Sequence, residues 1–365
     1  MKLMFKFLAL ILVLGALYLT LWPTPVEPQA WDAPSSLGYV GKFEPNQKLR
    51  DFTALPLTGL HGPEAAAFDA MGRLYATTHE GWILRWSAAA SEPERWVDLG
   101  GRPLGVDFDA DGNLWVANAY LGLQKISPQG QVATLVTETN GVPVRYADDV
   151  VVAPDGKVYF SDASTRFGAK ASLGTLEASL LDIMEHSDNG RIIMYDPKSG
   201  VSSVVLDGLT FANGVAMDAT GEFLLVVETG EYRVHKLWLN GAKAGQSEVI
   251  IDNIPGFPDN IHRGLNGRYW IGLTAPRSAI LDDLSQKPFV RKIVQRLPAS
   301  MRPQVGAYGM VIAIDADGQV MENLHAPDGE VFTTTGVAES DDFLFVTSLT
   351  APFLARYAKK DLPIN

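Results

Sequence analysis

Gly72, Gly112, Gly156, Gly221 and Gly267 close five similar turns, most of them D-x-x-G, and eight residues before each stand Glu64, Leu104, Asp148, Asn213 and Asp259. A looser sixth repeat, in which TGVA matches NGVA, puts Thr335 at the corresponding place. Three of these side chains are carboxylates and one is an amide. Carboxylates gathered without a lysine or arginine among them repel one another, and a bound hard cation is the simplest remedy. Calcium takes about six to eight oxygens and accepts amide carbonyls, whereas zinc favours nitrogen or sulfur. Glu64, Asp148, Asn213 and Asp259 are therefore candidate calcium ligands. Taken singly, each is also an ordinary residue for capping a strand entry, but a capping role leaves their common register unexplained.

The register has meaning only if the repeats are arranged about an axis. The recurring unit is an apolar strand, a turn and a second strand rich in aromatic and β-branched residues: EAAAFDAMGRLYATT, LGVDFDADGNLWVAN, DDVVVAPDGKVYFSD, NGVAMDATGEFLLVV, DNIHRGLNGRYWIGL and, more loosely, TGVAESDDFLFVTSL. Third strands such as WILRWS, GLQKIS, RIIMYD, HKLWLN and FLARYA follow most copies. Six units of three to four antiparallel strands imply an all-β fold, a six-bladed β-propeller over 39–365. A β-sandwich would not explain the even spacing. In a propeller the six equivalent positions ring the central channel at one height. Tyr75, Trp115, Tyr159 and Trp270, in the second strands, are expected in the blade core.

Two copies carry insertions, 164–189 and 276–308, whose LEASLLDIMEH and DDLSQKPFVRKIVQRL have helical periodicity. Long insertions in a compact domain are commonly lids, and these two are read as helical lids over one end of the channel. The basic side of the second helix (Arg291, Lys292, Arg296) is read as solvated surface, with contact to anionic lipid as the alternative.

The chain opens with Lys2, Lys6 and an uncharged run to Val26. FLALILVLGALYLTLW with its flanks is long enough to cross about 30 Å of hydrocarbon, and the lysines keep the first residues cytoplasmic. Residues 1–22 are read as a single-pass transmembrane signal anchor, with a cleaved signal peptide as the alternative; 23–38 reads as a spacer and the propeller as exported. The chain lacks cysteine, which excludes disulfide scaffolds, thiolate metal sites and a cysteine nucleophile. It lacks N-x-S/T sequons too, which favours a bacterial periplasm over a secretory lumen. With 30 basic and 42 acidic residues, no nucleic-acid partner is expected.

GRPLG with LWVANAYLGL, YADDVVVAPDGKVYFSDAS, FANGVAMD, PGFPDNI and APDGEVFTTTGVAESDDFLFVTS resemble the strictosidine synthase-like family, the group that includes the adipocyte plasma membrane-associated proteins. That group is similar to gluconolactonase/regucalcin, paraoxonase and diisopropylfluorophosphatase, all calcium-dependent six-bladed propellers. The resemblance implies a channel calcium held by Glu64, Asp148, Asn213 and Asp259, with Asn260 close by. It also implies a role for Asp259 as base or nucleophile, and places Asp149, Asn260, Leu104 and Thr335 around the ion or against substrate. Four departures stand out. The family usually has Asn-Asp where this chain has Asp148-Asp149. The water-activating histidine of paraoxonases aligns with Leu104, and their second calcium uses an acid where Ala65 stands. The glutamate of the Pictet–Spengler enzymes aligns with Thr335, which argues against strictosidine synthesis; Glu339, four residues on, reads as a turn residue. No G-x-S-x-G elbow marks a serine hydrolase, and His61, His262 and His325 read as surface or packing residues. The expected function is a membrane-anchored, calcium-dependent hydrolase of ester or lactone substrates, with a non-catalytic, calcium-stabilised binding module as the alternative.

Overall fold

Gly72, Gly112, Gly156, Gly221 and Gly267 all adopt φ between +73° and +87°, a conformation that costs other residues strain, and each turns an innermost strand back into the second strand of its blade. In the computed structural model, which describes residues 1–87, 92–303 and 306–364, these hairpins extend into six four-stranded antiparallel sheets. The fold is a six-bladed β-propeller. Blade 1 starts at Ala66–Phe68, blade 2 at Pro103–Phe108, blade 3 at Ala147–Val152, blade 4 at Ala212–Met217, blade 5 at Gly256–Arg263 and blade 6 at Thr334–Glu339. The outermost strand of blade 6 is Thr53–Pro56, which pairs with Phe353–Arg356 and closes the ring.

Among the described residues, buried apolar side chains cluster between successive blades and over the channel mouth. Tyr75, Trp115, Tyr159 and Trp270 are buried, as expected for blade core. Three of them keep their polar ends satisfied by acids: Tyr75 on Asp69, Trp115 on Asp109 and Trp270 on Glu339.

Among the described residues, four α-helices decorate the strands. Helix α1 (Lys2–Leu21) is apolar with no buried residue and fits a single-pass anchor or signal. Helix α2 (Thr175–Glu185) lies in the first insertion. The second insertion departs from the expected single helix. It forms α3 (Ala279–Asp283) and α4 (Pro288–Arg296), because Pro288 disfavours helix in the residue before it and is well placed at a first helical turn. Residues 304–305 of that insertion lie outside the described residues. Both insertions join the second and third strands of their blades, so they sit at the end of the channel where the innermost strands begin.

Residues 23–38, read as a spacer, are held in place along part of their length. Val26 and Trp31 are buried, Trp31 stacks on His186 with 3.8 Å between ring centroids, and the backbone of Gln29 bonds Glu185. Arg277 donates to the Pro34 carbonyl at 2.6 Å.

Candidate metal centre

Glu64 precedes the first strand of blade 1, and Asp148, Asn213 and Asp259 begin the innermost strands of blades 3, 4 and 5. Propeller symmetry turns all four toward the axis. They are 2%, 2%, 2% and 7% exposed respectively, and one carboxylate oxygen each from Glu64, Asp148 and Asp259 lie within 4.8 Å of one another. Two ligands on opposite sides of a calcium stand about 5 Å apart, twice the calcium–oxygen distance, so these oxygens fit around one ion. Asn213 Oδ1, Asp259 Oδ1 and Asn260 Oδ1 are buried with no hydrogen-bond donor. An unpaired buried acceptor costs about 1–3 kcal/mol, and a cation would satisfy all three. The donor set is all oxygen, which suits calcium and not zinc.

The electrostatics point the same way. Burial pushes Glu64 up to about 7 against the pull of Arg102. Burial, followed by the charges of Glu64 and Asp149, raises Asp148 well above the usual carboxylate range. Asp259 is raised by burial, then by Glu64 and Asp148, while a hydrogen bond from Asn213 pulls it down.

Arg102 corrects the expectation that no arginine stands among the carboxylates. Its side chain is fully buried; Nη2 donates to Glu64 Oε2 at 3.0 Å and Nη1 to the Gly62 carbonyl at 3.2 Å. One guanidinium against three carboxylates leaves a negative excess that a divalent ion would balance. The GRPLG run holds this residue, two positions before the apolar Leu104, outside the register that singles out the other members.

The surrounding residues divide by their contacts. Asp149, expected around the ion or against substrate, has both oxygens occupied by backbone amides: Val150 N donates to Oδ1 and Val215 N to Oδ2, each at 2.9 Å. It clamps blade 3 to blade 4 and is unavailable to substrate. A Cβ on Gly105 would lie 2.2 Å from Asp149 Oδ1, which is why glycine follows Leu104. Thr335 Oγ1 donates to the Glu64 carbonyl at 2.6 Å, and Asn260 Nδ2 to the same oxygen at 3.3 Å; both orient Glu64. Leu104 joins Val26, Tyr146, Phe167, Ala178 and Phe211 in an apolar roof over the channel. Tyr146 Oη donates to the Thr175 carbonyl at 3.0 Å, tying blade 3 to α2.

At the other end of the channel a cavity of about 220 Å³ is lined by Asp107, His262, Arg263 and Glu339 among others. His262 has both ring nitrogens buried and unpartnered, and burial lowers it to about 4. His325 is buried against Tyr308, and His61 is paired with Glu80 near the surface. Glu339, expected in a turn, ends the first strand of blade 6 as a buried acceptor for Trp270 and Lys359.

Residues 148–242 match the family Strictosidine synthase, and 41–86 match Strictosidine synthase-like, N-terminal. The adipocyte plasma membrane-associated protein of Rattus norvegicus is 30% identical over 96% of each chain. The Arabidopsis thaliana protein Strictosidine synthase-like 3 is 33% identical over 84% of each. Among solved structures, a gluconolactonase from Xanthomonas campestris superposes with a TM-score of 0.62 at 18% identity, covering 86% of this chain and 91% of its own. A calcium-binding regucalcin from Agrobacterium tumefaciens does so with a TM-score of 0.58 at 16% identity, covering 86% and 94%. At these identities the structural likeness is one of fold.

Proposed function

The chain belongs to the strictosidine synthase-like family, and from that premise we propose that it is a membrane-anchored, calcium-dependent hydrolase of ester or lactone bonds. On this reading the propeller lies on the exported side of the membrane, in a bacterial periplasm. The observation that carries it is the convergence of Glu64, Asp148 and Asp259 with the unpaired oxygens of Asn213 and Asn260 in a buried channel. Glu64, Asp148, Asn213 and Asp259 would hold the calcium, with Asn260 Oδ1 close by. When bound, calcium supplies a Lewis acid for a substrate carbonyl oxygen. Arg102 and Thr335 fix Glu64, and Asp259 would act as base or nucleophile. The roof of Leu104, Phe167 and Phe211 selects neutral, fairly apolar substrates and must move aside to admit them. The fold of the neighbouring gluconolactonase supports this class of reaction.

The test is turnover of phenyl acetate and a panel of lactones by the purified full-length protein in detergent. Activity is expected with calcium, and loss is expected in chelator and in Asn213→Ala and Asp259→Ala proteins that remain folded. Turnover unchanged in those variants, or absent with calcium present, overturns the reading. The near-complete burial of the cluster favours one competitor, a structural calcium in a non-catalytic binding module. That competitor predicts calcium-dependent stability with no turnover.

A further inference from the structure

Helix α4 buries its arginines and exposes the apolar residues of its first turn. At helical spacing, Phe289, Val290, Ile293, Val294 and Leu297 share one side and Arg291 and Arg296 the other. A solvated amphipathic helix sends its charges outward, which is what the sequence pattern of α4 predicts. For the arginines the reverse holds: Arg291 and Arg296 are 0% and 9% exposed, whereas Phe289 is 56% exposed and Val290 36%, with Ile293, Val294 and Leu297 half-buried. The arginines bond inward. Arg291 donates to the carbonyls of Met184 at 3.2 Å and Ser285 at 3.3 Å, and to that of Gln29. Arg296 donates to the carbonyls of Leu19 at 2.9 Å and Trp22, while Tyr18 Oη donates to the Arg296 carbonyl at 3.1 Å.

Those last contacts set a depth. Leu19 is in the final turn of α1, whose carbonyls lack helical partners, and this mostly apolar helix of 20 residues is about 30 Å long, the thickness of the hydrocarbon. Arg296 therefore holds α4 where α1 leaves the bilayer. The same two insertions expose Leu173, Leu180, Ile280 and Met301, at the end of the propeller that carries the candidate metal centre.

We infer that this lid face docks on the bilayer that α1 enters, with α4 lying in the interface and Phe289 and Val290 reaching the acyl region. Continuity with α1 selects lipid as the occupant over a second copy of the chain. The inference rests on reading α1 as an anchor. The roofed channel mouth above Glu64 and Asp259 then faces lipid.

Because the chain has no cysteine, single Phe289→Cys, Leu10→Cys and Met71→Cys variants of the full chain can each carry one polarity-sensitive fluorophore. They are reconstituted in phosphatidylcholine vesicles with and without doxyl-labelled lipid. Met71 is 69% exposed in a turn at the opposite end of the channel. The label at 289 is expected to be blue-shifted, and quenched by doxyl lipid several-fold more than the label at 71, approaching that at 10. Water-like emission at 289 overturns the inference. So does a label shielded from water yet insensitive to doxyl lipid, which would mean a protein neighbour. Position 10 reports on the anchor separately, and hydrolysis enters neither readout.

Discussion

Replacing Asp259 with asparagine separates charge from shape at the centre of the channel. The amide keeps an oxygen at nearly the same place and removes one negative charge. Two ionised carboxylates within the 4.8 Å that contains this cluster repel by about 3 kcal/mol at an effective dielectric of about 20, and Asp259 faces two of them. Without calcium the protein avoids that cost by holding protons, and burial with like charge raises Glu64 to about 7 and Asp148 and Asp259 well above the usual range. An acid whose pKa is higher folded than unfolded binds its proton more tightly in the folded state. Stability is then highest below the unfolded pKa and falls as pH rises toward the folded one. In chelator the wild-type protein should lose stability from pH 5 to 8, and Asp259→Asn should lose less, melting higher by a margin that grows with pH. In calcium the order should reverse, with calcium affinity weakened on the order of 100-fold, at the upper end of what changes around a metal ligand cause. Thermal melts across that pH range, with calcium and with chelator, read both effects. A variant that is less stable than wild type in chelator at every pH, yet shows the same calcium shift, would refute the convergence of charge on which the metal assignment stands.

Arg102→Met should cost about 3–5 kcal/mol in denaturant unfolding, because it leaves Glu64 buried without its guanidinium; a loss below about 1 kcal/mol would show the pair to be dispensable. Gly105→Ala should fail to accumulate as folded protein, or melt far lower, since the new methyl group would lie 2.2 Å from Asp149 Oδ1; a wild-type melt would mean that Asp149 can yield. Trp31→Ala removes the ring stacked on His186 and should speed proteolysis within residues 23–38 while the propeller's own melt stays within a few degrees. Unchanged cleavage would show that the strap is held without it.

The propeller was legible because its signals are local and repeated. Each turn glycine must reach a left-handed φ, and the residue three later, aromatic in four of the five turns and Leu224 in the other, must fill a blade. The ring of Glu64, Asp148, Asn213 and Asp259 followed from register alone. Arg102 escaped because it lies outside that register and its partner is distant in sequence. Periodicity marked α4 as two-sided, yet it carries no information on which side meets water; that was decided by the carbonyls of Gln29, Met184 and Leu19, contributed by other parts of the chain. Composition likewise described 23–38 as a polar, proline-rich tether, while Arg277 and Arg291 of the second insertion hold it down.

The pairing of Thr53–Pro56 with Phe353–Arg356 also sets the order of events in biogenesis. The closing strand is synthesised first and its partner about 300 residues later, and joining ends so far apart costs roughly 5 kcal/mol of chain entropy. Until translation ends, Thr53–Pro56 lacks its partner strand and leaves an open edge of the kind that invites pairing with other chains. An anchored α1 would keep that first strand waiting at the membrane, so the last blade must return to the place where the chain began. Errors of synthesis near the C-terminus should therefore harm the molecule as a whole more than their small share of its contacts suggests.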